Sequence, residues 1–341
     1  MSFAESDLQA ALSRFCQEAF GLRHATALNL TKLAQGWESD IYSFALEREA
    51  GEPRPEELIL RVYPGGEAAE KSAREFKVMK RLHGLGYPVP AILAFEPTGS
   101  ALGDPILIMQ KVEGRALSSV LLESPIGRKR ELIGRFCQML VDLHALDWQP
   151  FVPDLLPHQP AKSIAAWLLW ARERLRQLAG TDFEPVVDWL LERSVEVGEA
   201  QLSLTHGDYH TKNVLCPTDR AAFVIDWTQA DVIDFRFDLA WTLLLMGMFD
   251  GWAMREAILR DYERLAGRRV EHIEYFEVIA SLRRLFSIVA SLAGGAGSVG
   301  LRPGAEAEMR GNQRHIESVY GLLSYRTGIT IPPVERLLTE L

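Results

Sequence analysis

Thr205-His206-Gly207-Asp208-Tyr209-His210-Thr211-Lys212-Asn213, followed past a short turn by Val224-Ile225-Asp226-Trp227, is the stretch whose reading decides this chain. It interrupts a half that is otherwise helical. Helical periods run from Gly127 to Ala145, Ser163 to Ala179 and Glu184 to Val197, and they resume at about Asp234. Between them, Leu202 to Trp227 reads as strand, loop and hairpin, with Pro217-Thr218-Asp219-Arg220 as the turn. Asp208 and Asn213 stand five apart on the loop, and Asp226 ends the returning strand. A loop and a hairpin can bring the Asn213 oxygen and the Asp226 carboxylate to one point while Asp208 faces outward. Magnesium takes a few hard oxygens from protein and the rest from phosphate and water. A carboxylate beside such a site can take the proton of an attacking hydroxyl. Singly, each of these residues is an ordinary turn former; the argument rests on the set.

Upstream the chain is strand-rich. After an amphipathic helix over about Glu5 to Ala19, LNLTKLA and DIYSFALE alternate in the strand period, with Gln35 to Asp40 as the turn between them. Glu57 to Tyr63 is a third strand, apolar enough to be covered on both faces. Pro64-Gly65-Gly66 ends it, and a helix follows from about Ala68 to Leu85 with Ala69, Phe76, Met79 and Leu82 expected along one face. Two short strands, near Ile92 to Glu96 and Pro105 to Lys111, complete a small antiparallel sheet with one helix. Val112-Glu113-Gly114 is the expected connection to a second unit. The Gly-rich stretch Gly294 to Gly304 reads as a surface connection, because no strand precedes it and it lacks a G-x-G-x-x-G pattern.

The spacing D-x-x-x-x-N and the downstream Asp match the phosphotransfer template, with His-Gly-Asp in place of His-Arg-Asp and Ile-Asp-Trp in place of Asp-Phe-Gly. The pattern H-G-D-x-H-x-x-N, then I-D-W, then Asp238-Leu239-Ala240 resembles the aminoglycoside phosphotransferase and choline kinase superfamily. The resemblance covers most of the chain. It implies an α+β, two-lobed, protein-kinase-like fold: an N-lobe over 1–112 with a small antiparallel sheet, and a larger helical C-lobe over 113–341. It also implies an ATP- and Mg2+-dependent kinase acting on a small-molecule hydroxyl acceptor.

Residue by residue, the resemblance makes Asp208 the catalytic base and Asn213 and Asp226 the metal ligands. Gly36 and Ser39 fall in the turn over the phosphates, Arg61 and Glu75 pair to position them, and Gln110 and Val112 lie in the segment that meets adenine. The best-known members carry Lys where Arg61 stands. Arg keeps the charge but presents a planar fork, so the exchange is not neutral. His206, His210 and Asp238 are expected to hold the shape of the loop, and Asp231 and Asp234 lie where an acceptor pocket would begin. For these last two, a solvated turn and a helix cap are equally good readings. Trp167, Trp170, Tyr209, Trp227, Trp241 and Trp252 read mostly as core.

Composition bounds the rest. A chain of 341 residues with 48% apolar and 24% charged content is an ordinary folded protein too long for a single compact core. Its net charge of -9 argues against nucleic acid and anionic membrane as partners, and leans slightly toward a cationic or neutral acceptor. Cys16, Cys137 and Cys216 have neither zinc-ligand nor redox spacing. The opening MSFAESDLQAALSRF lacks the cationic and apolar segments of a signal peptide, and Leu239 to Phe249 is too short to span a bilayer. A cytoplasmic location is the expectation. The rival to an active kinase is a weak or inactive nucleotide-binding pseudokinase scaffold on the same fold, suggested by Arg61 and the glycine-poor turn around Gly36. The complete set of Asp208, Asn213 and Asp226 argues against it.

Overall fold

The computed structural model describes residues 5–35, 39–99, 101–155, 163–179, 181–217, 222–294 and 311–340. Gly36 and most of the turn after Pro217 lie outside the described residues, as does the Gly-rich stretch beyond Gly294. The chain divides into two compact units, one of Met1–Arg115 with Leu215–Thr228, the other of Ala116–Val214 with Gln229–Leu341. The boundary expected at 112/113 assigned everything after it to one lobe. Instead the segment carrying Asp226 belongs with the first unit, because it bonds to that unit's own groups: Val224 N donates to the Pro88 carbonyl at 2.8 Å, and Trp227 N to Glu75 at 3.2 Å.

In the first unit, α1 (Glu5–Phe20) precedes β1 (Thr26–Gln35), β2 (Asp40–Glu47), β3 (Glu56–Val62), α2 (Ala68–Gly84), β4 (Ile92–Glu96) and β5 (Ile106–Gln110). The strands form one antiparallel sheet in the order β1-β2-β3-β5-β4. Alternation sends Leu58 and Leu60 of β3, with Ile106 and Ile108 of β5, to one face, where Leu12 and Cys16 of α1 complete a buried cluster with Phe44 and Leu46. Ile59 and Arg61 alternate to the opposite face, and Arg61 there meets Glu75 of α2. Two helices on one sheet explain why β3 is so apolar.

The buried face of α2 is Ala68, Ser72, Glu75, Val78, Met79 and Leu82. It is turned from the expected face: Ala69 is exposed, and Phe76 is half-buried, stacked on Phe95 with centroids 4.5 Å apart. An acid inside an apolar stripe breaks the periodicity that sequence reading relies on. Here the acid is inside because Arg61 is there to meet it.

The chain continues through β6 (Arg115–Ala116), α3 (Leu117–Glu123), α4 (Ile126–His144), α5 (Val152–Leu155), α6 (Ile164–Ala179) and α7 (Glu184–Val197). Then come β7 (Leu202–Thr205), a 3-10 turn at Thr211–Asn213, β8 (Val214–Cys216), β9 (Phe223–Val224) and β10 (Asp231–Asp234). Helices α8 (Phe235–Asp250), α9 (Trp252–Ala266), α10 (Ile273–Gly294), α11 (Gln313–Thr327) and α12 (Pro332–Glu340) follow. In the second unit β7 and β10 pair antiparallel, Thr205 opposite Asp231, which fixes both ends of the loop that begins at His206. The apolar run in α8 is buried from Leu239 to Met246, and only its end emerges, at Phe249. Among the described residues, no helix is long and apolar enough to cross a membrane.

Candidate active site

The second unit contributes Asp208 and the loop around it. Asp238, in the first turn of α8 and 1% exposed, accepts from the backbone N–H of His206 at 2.7 Å and of Gly207 at 2.9 Å. A carboxylate that takes two successive amides fixes the loop's backbone at the residue before Asp208. His144 of α4 holds that carboxylate in turn, with Nε2 3.2 Å from Oδ2 and Nδ1 2.8 Å from the Tyr262 hydroxyl. Burial pushes the Asp238 carboxyl up, but the contacts of His144 and His206 outweigh it and hold it below the usual range. Gly207 has a φ of +78°, and a Cβ there would lie 2.3 Å from the Gln229 carbonyl oxygen. Only glycine serves at that point.

Asp208 itself is oriented from three sides. Its backbone N–H donates to Nδ1 of the fully buried His206 at 3.2 Å. The indole N–H of Trp241 donates to Oδ1 at 2.8 Å, and Oδ2 lies 3.4 Å from Nε2 of His210. Burial pushes this carboxyl up, yet His210, the Trp241 N–H and His206 together bring it down to about 2. It is therefore ionised at neutral pH while keeping about a third of its surface (32%) open. His210 caps the 3-10 turn by accepting from Lys212 N at 3.2 Å. Thr242 of α8 donates to the Tyr209 carbonyl, and the Tyr209 hydroxyl donates to the Phe136 carbonyl, each at 2.8 Å. Tyr209 is core, as its type suggests. Trp241, also placed in the core by type, is a direct partner of Asp208.

Asn213 donates through Nδ2 to the Asp208 carbonyl at 3.0 Å. Among the described residues nothing donates to its amide oxygen, which leaves a hard acceptor of the kind magnesium takes.

The first unit holds a separate buried network. Arg61, 6% exposed, donates through Nη1 to Glu75 at 2.5 Å, through Nε and Nη2 to the Ser39 hydroxyl at 3.2 and 2.9 Å, and through Nη2 to Asp226 at 3.2 Å. Glu75 has no exposed surface and also accepts from the Tyr63 hydroxyl and the Trp227 N–H. Burial opposes the charge on Arg61, but Glu75 and Asp226 outweigh it, so the guanidinium stays charged. Lysine has a single point of donation and could not span Ser39, Glu75 and Asp226 together; the planar fork does. Asp226 sits at φ +69°, a left-handed conformation uncommon outside glycine, and Thr228 also donates to its Oδ1 at 3.2 Å. Among the described residues its Oδ2 has no hydrogen-bond partner, so Asp226 too presents an oxygen suited to a hard cation.

Other expected site residues fall differently. Gln110 ends β5, where its N–H donates to the Ala91 carbonyl at 2.9 Å, and Val112 lies in the irregular segment after it. A Cβ at Gly114 would meet Pro217 N at 2.9 Å, which accounts for a glycine at the end of that segment. Asp231 is half-buried on β10 and accepts from the next backbone N–H at 2.7 Å. Of the two readings open for Asp234, the helix cap is the one found and the acceptor contact is not, since the residue has no exposed surface. Its carboxylate caps α8 through Arg236 N, accepts Nε and Nη2 of Arg236 at 2.9 and 2.7 Å, and accepts Gln201 N at 2.8 Å. The sequence reading missed Trp241, His144 and Tyr63. Trp241 had one available signal, its place three residues past Asp238 on the same helix, within one turn of the loop's brace.

Residues 29–273 match the Phosphotransferase enzyme family. Acyl-CoA dehydrogenase family member 10 of Mus musculus is 25% identical over 247 residues, 69% of this chain and 22% of that protein. Acyl-CoA dehydrogenase family member 11 of Gallus gallus is 26% identical over 233 residues, 66% of this chain and 29% of that one. The chain thus spans less than a third of the length of these curated relatives. Among solved structures, APH(2")-IIa in its streptomycin-ATP ternary complex superposes with a TM-score of 0.62 at 16% identity, over 95% of this chain and 99% of that one. A choline/ethanolamine kinase family protein from Mesorhizobium loti gives 0.57 at 14% identity, over 91% of each chain. The fold is the α+β, kinase-like one of the aminoglycoside phosphotransferases, and with its family match running from Asn29 to Ile273 the chain belongs to the phosphotransferase enzyme family.

Proposed function

We propose that the protein transfers the γ-phosphoryl group of ATP to a hydroxyl of a small molecule, with Asp208 as the base that orients and deprotonates that hydroxyl. The observation that carries this reading is the environment of Asp208: an ionised, partly open carboxylate whose two oxygens are aimed by Trp241 and His210 and whose backbone is fixed through Asp238. Such a group needs no rearrangement to accept a proton. Most of the acceleration would come from placement and charge neutralisation, not from covalent chemistry.

Arg61, held by Glu75 and Ser39, is the proposed phosphate-positioning cation, and Gln110 and Val112 the adenine-side segment. Asn213 and Asp226 are the proposed ligands of a magnesium ion, which when bound would neutralise phosphate charge. Neighbouring structures support nucleotide use: APH(4)-Ia has been captured with AMP-PNP and hygromycin B. Cytoplasmic location remains part of the proposal. The test is ADP release from MgATP over a panel of hydroxyl compounds, comparing wild type with Asp208→Asn. Turnover is expected to vanish in the variant while MgATP still raises Tm. Equal turnover in the two proteins would remove Asp208 from the mechanism.

A further inference from the structure

Arg284, on α10 in the second unit, is a half-buried guanidinium with no carboxylate partner among the described residues. Its Nε donates to Nε2 of His315 at 2.9 Å. The buried arginines among the described residues are built otherwise: Arg61 meets Glu75, Arg236 meets Asp234 and Arg255 meets Glu277. Removing a guanidinium from water without a counter-charge is costly, and here the fold supplies a neutral imidazole instead. Burial and the Arg284 charge push His315 down to about 4, so that imidazole is neutral at physiological pH.

The surroundings place this cation beside the Asp208 loop. Arg283, the preceding residue, lays its guanidinium over the Trp241 ring at 4.2 Å and donates to the Gly207 carbonyl at 2.8 Å. His315 stacks on Phe249, centroids 5.2 Å apart, and the Lys212 ammonium lies 5.3 Å from the same Phe249 ring. Lys212 is next to Asn213 on the loop, and Trp241 holds Asp208. Arg283 thus reaches the Asp208 loop through Trp241 and Gly207, and Lys212 shares the Phe249 ring with His315.

We propose that Arg284, flanked by Arg283 and Lys212, binds a carboxylate or phosphate group of the acceptor, so that the hydroxyl brought to Asp208 belongs to a hydroxy acid or an alcohol phosphate. A guanidinium whose Nη groups have no hydrogen-bond partner among the described residues matches such an oxyanion through paired hydrogen bonds. The overall negative charge of the chain favours cationic acceptors only weakly, and this local cluster reverses it. The inference rests on the reading of Asp208 as the phosphotransfer base, and the experiment separates the two.

Wild type, Arg284→Met and Arg284→Lys are compared for thermal shift and for ADP release from MgATP. The probes are 3-hydroxybutyrate and glycerol 3-phosphate, their neutral counterparts 3-hydroxybutyramide and glycerol, and the cations choline and streptomycin. At least one anion is expected to raise the Tm of wild type and of Arg284→Lys, and which one does so distinguishes carboxylate from phosphate. Arg284→Met should need about tenfold more of it, or more, for the same shift. ADP release with cations alone, or anion shifts equal in wild type and Arg284→Met, or no anion shift at all, overturns the anion site and leaves phosphotransfer standing. Anion shifts that depend on Arg284, without ADP release from any probe, support the anion site and count against Asp208 as a phosphotransfer base.

Discussion

The indole N–H of Trp241 points at Oδ1 of Asp208 from 2.8 Å, making a residue of the α8 core a partner of the candidate base. Replacing it by Phe keeps ring volume and removes the donor. The Trp241→Phe enzyme is expected to lose about tenfold in kcat, the value of one hydrogen bond to a charged group. The Asp208 carboxyl, held at about 2 partly by that N–H, should rise. The acid limb of kcat/KM would then move to higher pH, with MgATP affinity unchanged. A pH-rate profile of the variant checks both effects.

Breaking the buried Arg61–Glu75 pair leaves a guanidinium inside the first unit without its closest counter-charge. Glu75→Gln is expected to cost about 3–5 kcal/mol in urea unfolding. Arg61→Lys keeps the charge but cannot hold Ser39, Glu75 and Asp226 at once, and should raise KM for MgATP about tenfold. An unchanged KM in that variant would show that the fork is not needed.

Gly207→Ala places a Cβ against a backbone oxygen at a left-handed residue, so the loop must move to relieve it. Because the shift falls on the residue before Asp208, activity should drop about a hundredfold. The Tm should change far less, since β7 and α8 keep their own packing. Circular dichroism melting and initial rates, read side by side, test the separation.

Stability should fall as the solution is acidified through the range of His315. Its folded value, about 4, lies below the ordinary 6.5, so the unfolded chain binds the proton more readily. The contribution is complete above pH 6.5 and lost progressively toward pH 4. The loss is on the order of 2 kcal/mol for a side chain this buried. His315→Gln should flatten that part of the curve, which urea midpoints across the window would reveal.

The five strands and most of the helices could be read from period and turn residues alone. Asp208, Asn213 and Asp226 stood out because their spacing along the chain carries the information. What escaped were contacts made across the fold. Trp241 and His144 look like any other buried residue in an apolar helix, since helical periodicity reports burial and not what a buried donor touches. The expected face of α2 was right at Met79 and Leu82 and wrong at Ala69 and Phe76 for the same reason: the pattern has no symbol for a buried acid such as Glu75, whose partner lies on a strand. Asp234 shows the converse, an acid near the loop that is taken up by Arg236 and the Gln201 backbone.

Because Leu215–Thr228 belongs to the same unit as Met1–Arg115, that unit is not contiguous in the gene. During synthesis, Arg61 and Glu75 are made long before the residues that complete their network, Asp226 and Trp227. The first unit therefore cannot reach its final state until the ribosome has passed Thr228, with most of α3 to α7 already outside. A fragment cut at Arg115 would carry a charged pair with an unfinished lining, and an exchange of the first unit between relatives would need two crossovers, not one.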